Sequence, residues 1–185
     1  RISVPELAIE VAAQKGFSVI ATANTRDKGV NEMSAALKRR FNIVVLPAPA
    51  NLDSEMEIVR TRVTQLSENL DLNAKQPADD VVEKVCTIFR ELRCGETLDR
   101  AQKVKGTSGV LSTAEAISLL CNSMALAGSF GNGTITNEDL AAALQGAVIK
   151  DEDKDQVAWK EYLENVMKKR GSEWLGLYKA CKELV

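Results

Sequence analysis

Pro47-Ala48-Pro49 divides this chain into two stretches of different character. Two prolines within three residues remove two backbone donors and hold the segment extended, so neither a helix nor a central strand runs through it. Upstream, the apolar residues come in short unbroken runs, Phe17-Ser-Val-Ile-Ala-Thr-Ala23 and Asn42-Ile-Val-Val-Leu46. Runs of that length rich in β-branched residues predict buried strands. Ile2–Pro5 is a shorter β-favouring stretch, and Glu6–Lys15 suits either helix or loop. Gly16 breaks the chain before the first run, and Asn24-Thr-Arg-Asp-Lys-Gly29 follows it as a turn-forming loop. Asn31 then predicts the N-cap of a short helix with Met33, Ala36 and Leu37 on one stripe. Lys38, Arg39 and Arg40 crowd its last turn. Strand, loop, helix, strand, with both strands apolar throughout, is the pattern of a parallel sheet covered on both faces. Two or three short strands do not complete such a sheet, and the chain opens at Arg1 in mid-pattern, so further strands are expected upstream.

Downstream of the prolines the apolar period changes to that of helices. Ser54 and Glu57 have capping-box spacing ahead of Ile58, Val59, Val63, Leu66 and Leu70. Pro77 predicts the opening of a helix that turns Val81, Val82, Val85, Ile88, Phe89 and Leu92 inward. Cys94–Gly109 reads as a polar connection. Ser112 and Glu115 form the strongest cap signal in the chain, before Ile117, Leu120, Cys121, Met124 and Leu126. Gly128–Thr134 predicts a break. Thr136 caps a helix whose inner face includes Leu140, Ala143, Leu144 and Val148. Asp151–Asp155 suits a solvated turn or helix start. Two further amphipathic helices run through Trp159, Leu163 and Val166, and through Trp174, Leu177, Tyr178 and Cys181. The expected fold is α/β and predominantly helical: residues 1–49 as part of a parallel-sheet core, residues 50–185 as a helical domain.

Composition excludes several functions. The chain has no histidine, so Ser-His-Asp or Cys-His catalysis and histidine-ligated zinc cannot be assembled within it. None of the four cysteines forms a Cys-x-x-Cys pair. Cys86, Cys121 and Cys181 fall in apolar helical patterns and read as small buried hydrophobes suited to a reducing cytoplasm. A net charge of −2 and 4% aromatic residues argue against nucleic acid as a partner. No apolar run approaches the roughly 20 residues that span a bilayer, so no membrane insertion is expected.

Ser18-Val-Ile-Ala-Thr-Ala-Asn24-Thr25-Arg26-Asp27, followed by Glu32-Met-Ser-Ala-Ala-Leu-Lys-Arg-Arg40-Phe41, resembles the AAA+ ATPases, and most closely their MoxR branch. The order is that of a sensor-1 strand ending in Asn, a loop, and a helix ending at the arginine-finger position. Phe89-Arg-Glu-Leu-Arg93, Leu111-Ser-Thr-Ala-Glu-Ala-Ile-Ser-Leu119 and Glu161-Tyr-Leu163 further resemble a MoxR subgroup associated with von Willebrand A-type partner proteins. The resemblance implies the C-terminal half of an ATP-hydrolysing chaperone or remodelling ATPase, working in the cytoplasm as a hexameric ring of identical subunits. Asn24 would position the attacking water, since a carboxamide offers both a donor and an acceptor. Arg40, or else Arg39, would reach the γ-phosphate of a neighbouring subunit. Such a finger is worth roughly 10³–10⁵ in rate, about 4–7 kcal/mol of barrier. Each residue also has a plain role: Asn suits a turn, and terminal cations gain about 0.3–1 kcal/mol from the helix dipole.

Two departures qualify that expectation. Ala114 stands where the family usually places a sensor-2 arginine, and Lys103 and Lys105 just upstream are the nearest substitute cations. No Gly-x-x-x-x-Gly-Lys-[Ser/Thr] loop and no acidic strand end are present, so ATP and Mg²⁺ would be bound mainly by residues upstream of Arg1. The 185 residues alone are therefore expected to be inactive. The competing expectation is a non-catalytic helical interaction module derived from such an ATPase.

Overall fold

Leu52–Asn69 forms the first long helix (α2), and its start lies two residues ahead of the predicted Ser54 cap. Asn51 is the actual N-cap, its side-chain oxygen accepting the Ser54 amide at 2.8 Å. An Asn in extended backbone presents its oxygen to the third residue on as well as a Ser does. The expected Ser54–Glu57 box is thereby displaced into the helix interior. Val59 and Val63 are buried on its inner face, whereas Ile58 and Leu70 remain exposed.

The computed structural model describes residues 2–23 and 34–185, which divide into a unit of residues 1–43 and a unit of residues 44–185. The second unit is all helix: α2, α3 (Asp79–Cys94), α4 (Thr113–Phe130), α5 (Asn137–Val148), α6 (Glu152–Asn165) and α7 (Ser172–Glu183), with a 3₁₀ turn at Met167–Lys169. α3 is the central element, and Val82, Val85, Cys86, Ile88 and Phe89 have no solvent exposure. It ends at Gly95, whose φ of 74° is the left-handed conformation that closes helices with a glycine. α4 packs against α2, α3 and α5, and α7 packs against α5 and α6. The capping boxes Ser112–Glu115 and Thr136–Asp139 both form, so the strongest local signals do set the starts of α4 and α5. α4 runs on through Gly128 to Phe130, beyond the predicted break. Gly128 is tolerated there because the Asn73 carbonyl approaches it closely: a Cβ would lie 2.6 Å from that oxygen.

The first unit departs further from expectation. Ile2–Val4 (β1) and Ile9–Val11 (β2) pair antiparallel, joined by a 3₁₀ turn at Pro5–Leu7. Neither Phe17–Ala23 nor Asn42–Leu46 forms a strand; both runs lie exposed. The expected parallel sheet is thus absent among the described residues. A buried strand is held by hydrogen bonds to neighbours on its edges, and no described residue supplies them. The short helix exists as α1 (Ala35–Lys38), capped by Ser34, whose oxygen accepts the Leu37 amide at 3.3 Å. Asn31, its expected cap, lies outside the described residues. The predominantly helical character of the chain holds.

Candidate functional site

The residues expected to act on nucleotide fall at two places. Arg39 and Arg40 close α1, and both are exposed. Four residues make a single turn, and the backbone amides of both arginines end it on the Ala35 and Leu37 carbonyls. Arg39 Nε donates back to the Ala35 carbonyl at 3.3 Å, which holds that side chain along its own helix. Arg40 has no side-chain partner among the described residues, so its guanidinium is free to meet an external anion. Asn24 lies outside the described residues.

The other place is the first turn of α4. Ala114 is exposed there, with no cationic group of its own. Glu115 folds back, its Oε2 accepting the Ser112 amide at 2.7 Å, so Ser112 and Glu115 are occupied as caps. Neither Lys103 nor Lys105 is hydrogen-bonded or ion-paired to this turn. Lys103 instead stands 3.8 Å from Glu96 in an exposed pairing across the 95–106 connection.

Beneath that turn lies a charge cluster unforeseen in the sequence. Glu55 is fully buried between α2, α3 and α4. Its carboxylate accepts Arg90 Nη1 at 2.8 Å, Arg93 Nη2 at 2.8 and 3.0 Å, and Thr113 Oγ1 at 2.8 Å. Burial pushes its pKa up, but the hydrogen bonds from Arg93, Arg90 and Thr113 outweigh burial and hold it below the usual carboxylate value. The second arm of Arg93 donates to the Leu111 carbonyl at 2.7 Å. Leu111 has a φ of 48°, a conformation that costs a non-glycine residue roughly 1–3 kcal/mol and persists only where its surroundings enforce it. Its side chain is buried, which supplies part of that enforcement. Cys86 lies close by, and burial together with the Glu55 charge pushes its thiol up to about 12, which leaves it inert.

A second buried carboxylate, Glu91, lies between Arg90 and Arg93 in sequence and ties the same C-terminal part of α3 to α6 and the turn after it. It accepts the Tyr162 hydroxyl at 2.6 Å, the Leu98 amide at 2.9 Å and the Arg170 guanidinium. Burial and the Glu91 charge raise the Tyr162 hydroxyl well above its ordinary value. Arg170 also stacks on Trp174, 4.3 Å from the ring centre. Asp151–Asp155, expected as a solvated turn or helix start, does begin α6 with Asp151 as its N-cap, but Asp155 is buried and not solvated. It accepts the Ser108 amide and hydroxyl at 2.6 Å, the Lys150 amide at 2.9 Å and the Asp151 amide at 2.8 Å. Burial opposes its charge, yet these bonds bring its pKa down to about 2. Both carboxylates are fully buried with each oxygen hydrogen-bonded inside the chain, so each acts as a structural fastening. In sequence Arg90, Glu91 and Arg93 are three more charges on an amphipathic helix that also carries Asp79, Asp80, Glu83 and Lys84. Among the described residues no group of acidic or cysteine side chains is placed to hold a metal ion, and no helix is long and apolar enough to cross a membrane.

Both parts of the chain match the AAA+ ATPases when compared with known proteins. Residues 1–41 match the AAA domain of the dynein-related subfamily, and residues 53–184 match the YehL-like AAA+ ATPase C-terminal domain. The chain belongs to the YehL-like AAA+ ATPase family. It is similar to the protein named Uncharacterized protein YehL of Escherichia coli (strain K12), with 33% identity over 184 residues. That alignment covers 97% of this chain and 50% of the relative, so the chain spans about half the length of the curated relative it matches. No solved structure matches it.

Proposed function

We propose that these residues are the C-terminal half of a MoxR-like AAA+ ATPase that hydrolyses ATP with Mg²⁺ to remodel or mature a client protein in the cytoplasm. In this reading Asn24 is sensor 1 and Arg40 is the arginine finger, with Arg39 the alternative. Residues upstream hold most of the nucleotide and the metal. The subunits form a ring, expected to be a hexamer, and the partner is a von Willebrand A-type protein.

The observation that carries the proposal is Arg40: it ends α1, inside the segment that matches an AAA domain, with its guanidinium exposed and unpaired among the described residues. A cation required by its own subunit's fold would be paired or buried. One that acts on a neighbour's phosphate must be available at the surface. Arg39 is the weaker choice because it already bonds to Ala35.

ATP hydrolysis by the intact protein tests this reading. Arg40→Ala and Asn24→Ala are each expected to abolish turnover while leaving nucleotide binding within about threefold, because both groups act on the transition state. Unchanged turnover in both variants would refute the assignment. The second reading, a non-catalytic interaction module, is favoured by one feature, the exposed Ala114 where a cation is expected. It predicts an intact protein that binds its partner but hydrolyses no ATP.

A further inference from the structure

The three residues that lead into α2 are held by α3. Arg90 Nη1 donates to the Pro49 carbonyl at 3.1 Å and to the Asn51 carbonyl at 3.3 Å, and Nη2 donates to the Ala50 carbonyl at 3.3 Å. Three successive carbonyls therefore converge on one guanidinium. That guanidinium is itself seated on buried Glu55, so its position is set by the core and not by the segment it grips. Glu55 is in turn bonded to Thr113 in the first turn of α4, and through Arg93 to Leu111 just before it. Immediately upstream, Val44, Val45 and Leu46 are 79–85% exposed.

We infer that Arg90, seated on Glu55, clamps Pro49–Asn51 into the helical unit and couples them to the start of α4. The proline pair supplies extended backbone, which leaves its carbonyls directed outward and unspent on local turns. The planar fork of arginine can reach several acceptors at once, which the point charge of lysine cannot. A displacement of the first turn of α4 reaches the clamped segment through Thr113, Glu55 and Arg90 without any intervening solvent-exposed group. In this family member, where Ala114 offers no cation, the start of α4 is thereby tied to the entering chain by a buried carboxylate.

Limited thermolysin digestion of this chain, read by mass spectrometry, tests the clamp, because the protease cuts before apolar residues in locally opened backbone. In the wild type, the bonds before Ile43, Val44 and Val45 should be cut, and the Asn51–Leu52 bond should resist. Arg90→Ala should speed cleavage at Asn51–Leu52 by about tenfold or more. The bonds before Ile88 and Phe89 report whether α3 itself has opened, and they should stay resistant. Glu55 retains Arg93 and Thr113 in this variant, so no buried charge is stranded. Arg90→Lys keeps the ion pair and should still expose the bond. Thr113→Val, which touches neither Arg90 nor residues 49–51, should raise the same cleavage by roughly threefold through the coupling. Wild-type cleavage at Asn51–Leu52 as fast as at the upstream bonds would overturn the clamp, as would resistance in both Arg90 variants. An unchanged rate in Thr113→Val would overturn the coupling.

Discussion

Replacing Asp155 by Asn keeps the shape of a buried side chain and removes one acceptor and the charge. In the wild type, Oδ2 accepts from Ser108 Oγ, Lys150 N and Asp151 N, and Oδ1 accepts from Ser108 N. The amide oxygen of Asn must take the crowded position, which turns its NH₂ toward the Ser108 amide, donor against donor. One buried N–H is then unsatisfied and three charge-assisted bonds become neutral ones, a loss of about 2–3 kcal/mol. For a helical unit of this size that lowers the melting temperature by roughly 6–12 °C. Fluorescence of Trp159 and Trp174, both buried, reports the unfolding. The pH dependence has a definite sign. The folded pKa of about 2 lies below the usual aspartate value of 3.8, so the stabilisation is complete above pH 3.8 and disappears as pH falls toward 2. The wild type should therefore lead at pH 7 and lose that lead below about pH 4. Equal melting at pH 7, or a gap that does not narrow on acidification, would refute the reasoning.

Other outcomes follow from packing and exposure. Gly128→Ala would drive a Cβ to within 2.6 Å of the Asn73 oxygen and 3.0 Å of its carbonyl carbon, so the helical unit should lose about 1–3 kcal/mol in urea unfolding. Of the four thiols, Cys94 alone is exposed, and it should react with a thiol reagent in the native state while Cys86, Cys121 and Cys181 react only on unfolding.

The helices were legible because their signals are local. An apolar period and a cap within three residues of it placed the starts of α4 and α5 correctly, and the buried face of α3 follows the predicted stripe at Val82, Val85, Ile88, Phe89 and Leu92 but not at Val81. The apolar runs at residues 17–23 and 42–46 looked equally clear, but strand formation depends on partners elsewhere in the chain, which a local run does not reveal. The buried charges were illegible for a related reason. Glu55 meets Arg90 across 35 positions, and Asp155 meets Ser108 across 47. In sequence each is one more charged residue in a polar stretch. Arg39 and Arg40 fell at a helix end as expected, whereas nothing in the sequence marked Arg90 as the residue gripping Pro49–Asn51.

The central claim, that Asn24 and Arg40 serve nucleotide pockets on adjoining subunits, is tested most directly by mixing two inactive variants. Intact Asn24→Ala protein and intact Arg40→Ala protein are each expected to hydrolyse ATP at a negligible rate. In randomly mixed rings, an Arg40→Ala subunit keeps its own Asn24 and can receive Arg40 from an Asn24→Ala neighbour. Equal mixing should then restore about one quarter of wild-type turnover, the chance that both groups at a pocket are intact. A mixture no more active than its components would contradict the account.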